Sequence, residues 1–198
     1  MNEKEWDEFA EEYYEIQQES QVTIAEDVKN YLKTEKVLPA ETAADVAGGS
    51  GRFLSLAKEI NRYDLIDFSS GMLENAKKEA EKNELPNVSF IKQSLEEFIQ
   101  SNETYEMVFT AANPALVHLI QLEKLMKKSS KWCVIIRVVE SITEELMKLY
   151  YDAYAKDPVV TRYIRKLFSE KREILSTTKL TYRLLLWSAD KKRTFHDS

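Results

Sequence analysis

Residues 44–53 decide the fold, and they read Ala-Asp-Val-Ala-Gly-Gly-Ser-Gly-Arg-Phe. The chain has four glycines in 198 residues, and three of them fall in this stretch. Glycine is costly in a folded chain unless the backbone needs a positive φ or another group approaches closely. A short β-capable run at 42–47 precedes the glycines and helical spacing follows at 53–60, which predicts a strand, a tight turn and a helix. We expect the turn to meet a ligand; the alternative is a tight turn with no ligand.

Apolar runs alternate with helical patterns downstream of this turn. Further strands are predicted at 62–68, 88–92, 106–111 and 131–140, and helices at 70–83, 95–100 and 115–129, the last entered through Pro114. The run at 131–140 is nearly continuous, which is typical of a strand buried on both faces. Strands and helices that alternate over short loops predict a parallel sheet with right-handed crossovers. The fold class is therefore α/β, a Rossmann-like, mostly parallel sheet with helices on both faces.

The two ends of the chain differ from this alternating core. Helical spacing from 4 to 31, broken near 19–22, predicts two leading helices. After Glu140 helical spacing returns at 142–154 and, beyond Pro158, continues to Phe168, and the tail at 178–187 alternates like a strand, with a shorter strand near 173–175. We predict one domain over 1–198, made of an N-terminal helical cap (1–38), a cofactor-binding core (39–140), and substrate-side helices with C-terminal strands (141–198).

Composition narrows the class of partner. The net charge of −6 disfavours a nucleic-acid substrate, because binding a phosphate backbone draws mainly on clustered Lys and Arg. No apolar run reaches the length of a bilayer span, and the first residues lack the pattern of a secretory signal. The single cysteine, Cys133, sits in an apolar run and is expected to be a core residue in a reducing compartment. We therefore expect a cytoplasmic protein without a membrane or nucleic-acid partner.

A second element follows the glycine-rich turn. Asp67 ends the next apolar run, where an acidic residue meets ribose hydroxyls in a dinucleotide-type βαβ unit. A carboxylate there accepts hydrogen bonds from both hydroxyls of one ribose. By itself, an aspartate at the end of a strand is more often an exposed strand end or a helix cap. The position of Asp67 after the glycine-rich turn is what favours a ribose-binding role.

Together these segments resemble the class I S-adenosylmethionine-dependent methyltransferases. The stretch 44–53 is similar to the first motif of that family, and 64–77 to its second motif. The likeness continues through 88–95 and 105–114 and includes the leader from Trp6 to Tyr14, which resembles a segment that often covers the cofactor in small-molecule members. The resemblance implies that Asp45 helps to bind the methionine ammonium and that Asp67 binds the ribose. The other residues that it places at the cofactor are Tyr13, Tyr14, Ala47, Gly48, Gly49, Gly51, Phe68, Met72, Ser94, Leu95 and Thr110.

Three residues depart from the family pattern. Ala47 stands where a glycine is common, and we expect it to be tolerated if its φ is negative. Ser94 replaces an aspartate that commonly contacts the adenine amino group, so that contact is expected to be weaker or to come from the backbone. Glu106 replaces an aspartate and is expected to have a structural role.

The transfer of a methyl group from a sulfonium needs mainly orientation, so no fixed catalytic triad is expected. A hydroxyl or ammonium acceptor also needs a base. Histidine is a common general base, which makes His118 a candidate, but a histidine that lies one turn into a helix is more often a packed or surface residue. Asn113 with Pro114 is weakly similar to a motif of amino-directed DNA methyltransferases, and the alternative is a helix entered through proline. Tyr14 and Glu140 are the remaining catalytic candidates, with core packing and a solvated strand end as their alternatives.

Other functions compete with methyl transfer to a small molecule. A non-catalytic module that senses S-adenosylmethionine or S-adenosylhomocysteine is one, since Ala47 and Ser94 weaken the motifs. A nucleic-acid amino-methyltransferase is less favoured because of the charge, and a nicotinamide-dependent oxidoreductase because Ala-Gly-Gly-Ser-Gly does not match Gly-x-Gly-x-x-Gly. We expect no metal. The Tyr-rich segment 149–163 predicts either a partly apolar or aromatic substrate or a homodimer face.

Overall fold

The computed structural model describes residues 2–19, 24–139, 174–177 and 180–188. Its helices and strands alternate along most of the chain. In chain order they are α1 (Glu3–Glu19), α2 (Ile24–Thr34), β1 (Ala40–Val46), a 3-10 helix (Leu54–Glu59), β2 (Ile60–Asp67), α3 (Ser70–Lys82), β3 (Val88–Lys92), α4 (Leu95–Gln100), β4 (Tyr105–Ala111), α5 (Leu119–Lys127), β5 (Ser129–Val139), β6 (Ile174–Thr177) and β7 (Leu180–Ser188).

The strands form one seven-stranded sheet in the order β3-β2-β1-β4-β5-β7-β6. Strands β1 to β5 are parallel to one another, and β7 is antiparallel to both β5 and β6. This confirms the predicted Rossmann-like α/β fold. The strand order reverses between β1 and β4, and open α/β sheets bind their ligands outside the carboxyl ends of the strands at such a point. The glycine-rich turn follows β1 and therefore lies at this point.

Each face of the sheet is covered by its own apolar cluster. On one face, α2, the 3-10 helix and α3 pack against the sheet through residues such as Leu32, Leu56 and Leu73. On the other face, α4 and α5 pack through Phe98 and Leu125. A parallel sheet is stable only when both faces are buried, so both clusters are needed to hold the strand ends in place.

Alternation along β2 sends its polar side chains to different faces. Tyr63 and Leu65 belong to the cluster under α3, and the period of two places Asp67 on their side. Asp64 points the other way, where its Oδ2 atom lies 2.8 Å from the Tyr105 hydroxyl. Asp64 and Asp67 therefore lie in different surroundings, although they are only three residues apart on the same strand.

The leading helix α1 is joined to the start of α3 by polar contacts. The Asp7 carboxylate accepts the Ser69 hydroxyl (2.6 Å) and the Gly71 N–H (2.9 Å), and the Asn75 amide donates to the Ala10 carbonyl (3.1 Å). Ser69 is itself the N-cap of α3 and accepts the Met72 N–H. An acidic side chain at a helix N-terminus also compensates the positive end of the helix dipole. Asp7 thus extends the cap of α3 and fixes α1 upon it.

Two predicted helices differ from the structure. The helix predicted at 53–60 is a 3-10 helix of six residues, because the chain passes directly from this segment into β2 at Ile60. The helix predicted from Ala115 begins only at Leu119, so the prediction that it is entered through Pro114 was wrong. The Asn113 side chain accepts the Ala115 N–H and holds the intervening residues in a turn instead.

The other boundaries agree with the sequence within one or two residues, except that α2 continues three residues beyond the predicted end at residue 31. The predicted strand and helix at 88–92 and 95–100 are reproduced, and β6 and β7 correspond to the two predicted tail strands. The predicted helices between 142 and 168, the Tyr-rich segment 149–163 and Glu140 lie outside the described residues. Within the described ranges, no helix has the length and apolar character needed to cross a membrane.

The contact between α1 and α3 predicts the effect of a small substitution. A Cβ atom at Gly71 would lie 2.9 Å from the Ala10 Cβ and 3.2 Å from the Asp7 carbonyl oxygen. We expect Gly71→Ala to push the two helices apart and to lower the free energy of unfolding by about 1–3 kcal/mol. Chemical denaturation measures this change, with the exposed Glu74→Ala on the same helix as control. Equal stability of the two variants would contradict the tight contact.

Candidate functional site

The turn after β1 is a compact bend from Ala47 to Gly51. Gly49 and Gly51 have φ values of +56° and +83°, which glycine adopts without strain. The Gly48 N–H donates to the Ile66 carbonyl on β2 and the Gly51 N–H donates to the Gly48 carbonyl, both at 3.1 Å. A Cβ atom at Gly48 would lie 2.7 Å from Leu65 Cγ, so the backbone at this residue lies directly on β2. The cluster of glycines in the sequence is therefore explained by backbone conformation and close approach.

Ala47 adopts a conformation that the sequence analysis did not expect. Its φ is +58°, so the condition under which alanine was expected to be tolerated is not met. The left-handed region is unfavourable for a residue with a Cβ atom. Ala112, which follows β4 on the neighbouring strand, has a φ of +49°. The chain therefore carries backbone strain at the ends of both strands that flank the topological switch point.

Asp67 joins the bend to the start of α3. One carboxylate oxygen accepts the Gly49 N–H and the other accepts the Ser69 N–H, each at 2.9 Å. Only 5% of Asp67 is exposed, and this burial raises its pKa, while the two N–H donors oppose the shift. Each carboxylate oxygen can accept more than one hydrogen bond, so the group retains acceptor capacity toward the crevice, by which we mean the region outside the carboxyl ends of β1 and β2.

Asp45 lies beneath the bend rather than on its surface. It is 1% exposed, and its Oδ2 atom accepts the hydroxyl of Tyr63 at 2.7 Å. Burial raises the pKa of Asp45 to about 7, the charge of Asp67 acts in the same direction, and the Tyr63 hydrogen bond opposes both. Tyr63 was not singled out from the sequence. Its place on the same face of β2 as Asp67 was the available signal.

Thr110 and Asn113 connect β4 to β1 on the other side of the bend. The Thr110 hydroxyl donates to the Val46 carbonyl at 2.7 Å and accepts the Asn113 amide at 3.2 Å. Both residues are buried, and the Asn113 carbonyl oxygen accepts the Ala115 N–H. The described contacts of Asn113 are thus those of a turn that fixes the end of β4.

The two tyrosines of the leader have different positions. Tyr13 lies over the bend, since its Cε1 atom is the nearest group, at 3.9 Å, to the place of a Cβ on Gly49. Its ring also contacts those of Trp6 and Phe9 at centroid distances of about 6 Å. The hydroxyl of Tyr14 instead donates to Glu79 on α3 at 2.9 Å. The structure therefore brings Tyr13 to the site and places Tyr14 between α1 and α3.

The residues that follow the carboxyl ends of β2 and β3 lie at the same edge of the sheet as the bend. Phe68 is half-buried at the end of β2, and Met72 is buried with its sulfur 3.1 Å from the Ser50 hydroxyl. Leu95 is buried at the first turn of α4. Ser94 is the N-cap of that helix, where its hydroxyl accepts the Glu97 N–H and lies 2.9 Å from the Glu97 carboxylate. The Ser94 side chain is thus already engaged in a capping box.

His118 and Glu106 lie elsewhere than at the bend. The expectation that His118 lies one turn into a helix was wrong, because it is the exposed N-cap of α5 and its N–H donates to the Gln121 side chain. Glu106 is near the start of β4, at the opposite end of the sheet from the bend. It accepts the Glu41 N–H at 2.7 Å and pairs with Lys131 at 2.8 Å, which are structural contacts.

The geometry fits the nucleoside that the sequence resemblance implies. Gly49 has a left-handed backbone and is only half-buried, and the one group of the described residues near the position of a Cβ on it is the Tyr13 ring, at van der Waals distance. A buried carboxylate, Asp67, ends the neighbouring strand and accepts the Gly49 N–H. A small-residue bend beside a strand-end carboxylate is the arrangement that binds the sugar and adjoining group of a nucleotide in open α/β sheets.

Comparisons with known proteins agree with this geometry. Residues 43–134 match the family model described as a methyltransferase domain. This segment begins in β1 and ends in β5, and it includes the bend, Asp45 and Asp67. No curated protein matches the chain.

Solved structures with the same fold include enzymes with different names. Magnesium protoporphyrin IX methyltransferase from Synechocystis PCC 6803, solved with bound S-adenosylmethionine, has 16% identity and a TM-score of 0.65 over 95% of this chain and 97% of its own. An rRNA methylase from Streptococcus thermophilus has 13% identity and a TM-score of 0.54 over 81% and 93%. The precorrin 8w decarboxylase of Methanobacterium thermoautotrophicum has 12% identity and a TM-score of 0.54 over 81% and 88%. At these identities the likeness shows the fold.

The strain at Ala47 predicts a stabilising substitution. We expect Ala47→Gly to raise the free energy of unfolding by roughly 0.5–1 kcal/mol, because glycine removes the penalty of the left-handed conformation and loses part of that gain to its entropy. Thermal unfolding measures the change. Ala115→Gly is the control, since Ala115 is exposed and has no positive φ, and it should bring no gain. A loss of stability in Ala47→Gly would contradict the assigned conformation.

The buried carboxylate of Asp45 predicts a pH dependence of stability. The pKa of Asp45 is about 7 in the folded chain, above that of an aspartate in the unfolded chain. Asp45 therefore favours the folded state at low pH, and the free energy of unfolding falls as pH rises from about 4 to about 7. Asp45→Asn cannot ionise and escapes this loss. We expect its free energy of unfolding, relative to the natural chain, to be roughly 2–3 kcal/mol more favourable at about pH 8 than at about pH 5.

Denaturant unfolding at the two pH values measures this difference. Both chains keep every other titratable group, so the difference between them isolates Asp45. A difference that stays constant with pH would contradict the buried, titrating carboxylate.

Proposed function

We propose that this chain, which belongs to the class I S-adenosylmethionine-dependent methyltransferases, transfers a methyl group from S-adenosylmethionine to an oxygen, nitrogen or sulfur atom of a small molecule. The observation that carries the proposal is the pairing of Asp67 with the bend. Its carboxylate accepts the Gly49 N–H, so the bend and the strand-end acid form one unit at the switch point of the sheet. The finer assignments of residues below are part of the same proposal.

Asp67 is proposed to hold the ribose hydroxyls with the acceptor capacity that its two N–H donors leave. Asp45, beneath the bend, is proposed to favour the ammonium group at the amino-acid end. Phe68, Met72 and Leu95 provide apolar contacts for the adenine, and Ser94, through its capping box, fixes the start of α4 beside them. The bend supplies close approach through Ala47, Gly48, Gly49 and Gly51, Thr110 fixes its β4 side, and Tyr13 closes it from the leader helix.

The cofactor supplies the electrophilic methyl group, and the chain's own residues supply position. Holding an acceptor atom in line with the methyl group contributes about 7–11 kcal/mol in well-oriented systems. That contribution requires strand ends that do not move, and the Thr110–Val46 and Asp67–Gly49 hydrogen bonds fix two of them. Orientation therefore carries most of the catalysis in this proposal.

A base is required when the acceptor is protonated. Among the described candidates, His118 remains the stronger one, because it is exposed on the segment that follows β4. Asn113 and Tyr14 are engaged in the contacts described above, which favours structural roles for both. Glu140 lies outside the described residues and stays a candidate from the sequence.

Several features support a small, partly apolar acceptor. The chain carries a net charge of −6, which disfavours a polynucleotide. Val117 and Ile120 flank His118 and are 54% and 58% exposed, so the segment after β4 offers apolar contact. One of the compared proteins, of similar length, is named for magnesium protoporphyrin IX, which is a small molecule. A cytoplasmic location, the division into cap, core and substrate side, and a homodimer remain predictions.

A paired substitution on β2 tests the cofactor site. We expect Asp67→Asn to weaken binding of S-adenosylhomocysteine at least tenfold, or about 1.4 kcal/mol, because an amide cannot accept from both ribose hydroxyls and the two N–H donors. Asp64→Asn is the matched control, since Asp64 is also buried on β2 but faces Arg62 and Tyr105. Calorimetry at one pH measures both affinities. Unchanged affinity in Asp67→Asn would remove its proposed role.

A turnover screen separates the enzyme from a sensor of the cofactor. Small amines, phenols and thiols are offered with S-adenosylmethionine, and S-adenosylhomocysteine formation is measured. We expect turnover with at least one class and product inhibition by S-adenosylhomocysteine. Tight cofactor binding without turnover across the panel would favour the sensor.

A further inference from the structure

Tyr63 is a buried phenol that the resemblance to known methyltransferases does not assign to any role. Its exposure is 0%, and its hydroxyl donates to Asp45 Oδ2 at 2.7 Å. Strand register explains the contact. Ala43 pairs with Tyr63 and Asp45 pairs with Leu65, so the tyrosine ring reaches diagonally along the shared face of β1 and β2 toward the carboxylate.

The backbone of the bend covers the same carboxylate oxygen. A Cβ atom on Gly48 would lie 3.0 Å from Asp45 Oδ2, and the Gly48 N–H donates to the Ile66 carbonyl. The Asp45 carboxylate is therefore held on one side by the Tyr63 hydroxyl and packs on the other side against the bend.

Among the groups that face Asp45, one hydrogen-bond donor, Tyr63, favours the ionised form of its carboxylate. Leu65 on β2 and Phe109 on β4 are its register partners and carry no charge. Asp67 is the charged group that acts on it, and this negative charge raises the Asp45 pKa, as burial does more strongly. Tyr63 alone among these groups donates to the carboxylate and opposes both effects. A hydrogen bond to an ionised group is stronger than one between neutral groups, so Tyr63 favours the charged state.

We propose that Tyr63 is a positioning residue for the cofactor, because its hydroxyl holds the Asp45 carboxylate beneath the bend at the end where the ammonium group of S-adenosylmethionine binds. This inference rests on the proposed function, in which Asp45 serves the amino-acid end. The charged carboxylate attracts the ammonium through the bend, whereas the protonated acid does not. Cofactor affinity then rises with pH as Asp45 ionises, and binding below neutral pH releases a proton.

The test compares two probes on the full chain by calorimetry at about pH 6, 7 and 8. S-adenosylhomocysteine carries the ammonium group, and 5′-methylthioadenosine keeps the nucleoside without it. For the natural chain we expect S-adenosylhomocysteine affinity to rise roughly tenfold from pH 6 to pH 8, as the ionised fraction of a group with a pKa of about 7 does. Affinity for 5′-methylthioadenosine should not change with pH.

In Tyr63→Phe we expect the midpoint of the curve of S-adenosylhomocysteine affinity against pH to shift to higher pH by about one unit or more, because the Asp45 carboxylate loses its hydrogen-bond donor. At pH 7 this gives an affinity several-fold weaker than that of the natural chain, recovered in part at pH 8. Binding of 5′-methylthioadenosine should stay within twofold. Equal weakening of both probes, or an unmoved curve, would overturn the inference, since a merely structural role produces one of those results.

Tyr105→Phe is the matched control. Tyr105 is a second buried tyrosine in contact with a strand carboxylate, with 2.8 Å between its hydroxyl and Asp64, but on the other face of the sheet. We expect it to leave the pH curve in place. If Tyr63→Phe does not fold, Asp45→Asn still tests the premise that Asp45 is the titrating group: a neutral amide should flatten the curve, and a curve that keeps its slope would overturn the inference.

The two probes distinguish a wrong cofactor site from a wrong role of Tyr63. A natural chain that binds neither probe contradicts the cofactor site itself. A natural chain that binds both probes, with Tyr63→Phe indistinguishable from it, contradicts only the role of Tyr63.

Discussion

The hydrogen bond from the Gly49 N–H to the Asp67 carboxylate is the interaction on which the site depends. It joins the bend after β1 to the end of β2, and the second oxygen of the same carboxylate joins that strand to the N-terminus of α3 through Ser69. Asp7 then extends the chain of contacts from Ser69 to the leading helix. The Asp67 carboxylate therefore links the bend to α3, and Ser69 links α3 in turn to α1.

This link has an energetic cost that the rest of the fold offsets. Asp45 and Asp67 are two carboxylates buried at the ends of adjacent strands, and burial raises the pKa of each, which means that their charged forms destabilise the folded chain. Ala47 adds left-handed strain at the same place. Apolar clusters on both faces of the sheet provide the compensating stability. Strain and buried charge that cluster at one point are typical of a functional site.

The sequence was sufficient to predict the fold. Alternating strands and helices predicted the parallel sheet, and the spacing of the glycines and Asp67 predicted that the bend and this strand-end acid lie together, because both features depend on local pattern. Three features were not predictable in this way. The φ of Ala47 follows from the packing of Gly48 on β2, the late start of α5 follows from the turn fixed by Asn113, and the contact of Tyr63 with Asp45 requires the strand register. Each of these is set by tertiary contacts, on which periodicity carries no information.

The central claim is that the bend and Asp67 together hold the nucleoside of S-adenosylmethionine. A crystal structure of the chain with S-adenosylhomocysteine tests it most directly. We predict density for the nucleoside beside the bend, outside the carboxyl ends of β1 and β2, with a ribose oxygen at hydrogen-bond distance from Asp67 and the amino-acid end above Asp45. A crevice that stays empty at saturating ligand, or a nucleoside bound away from Asp67, would contradict it.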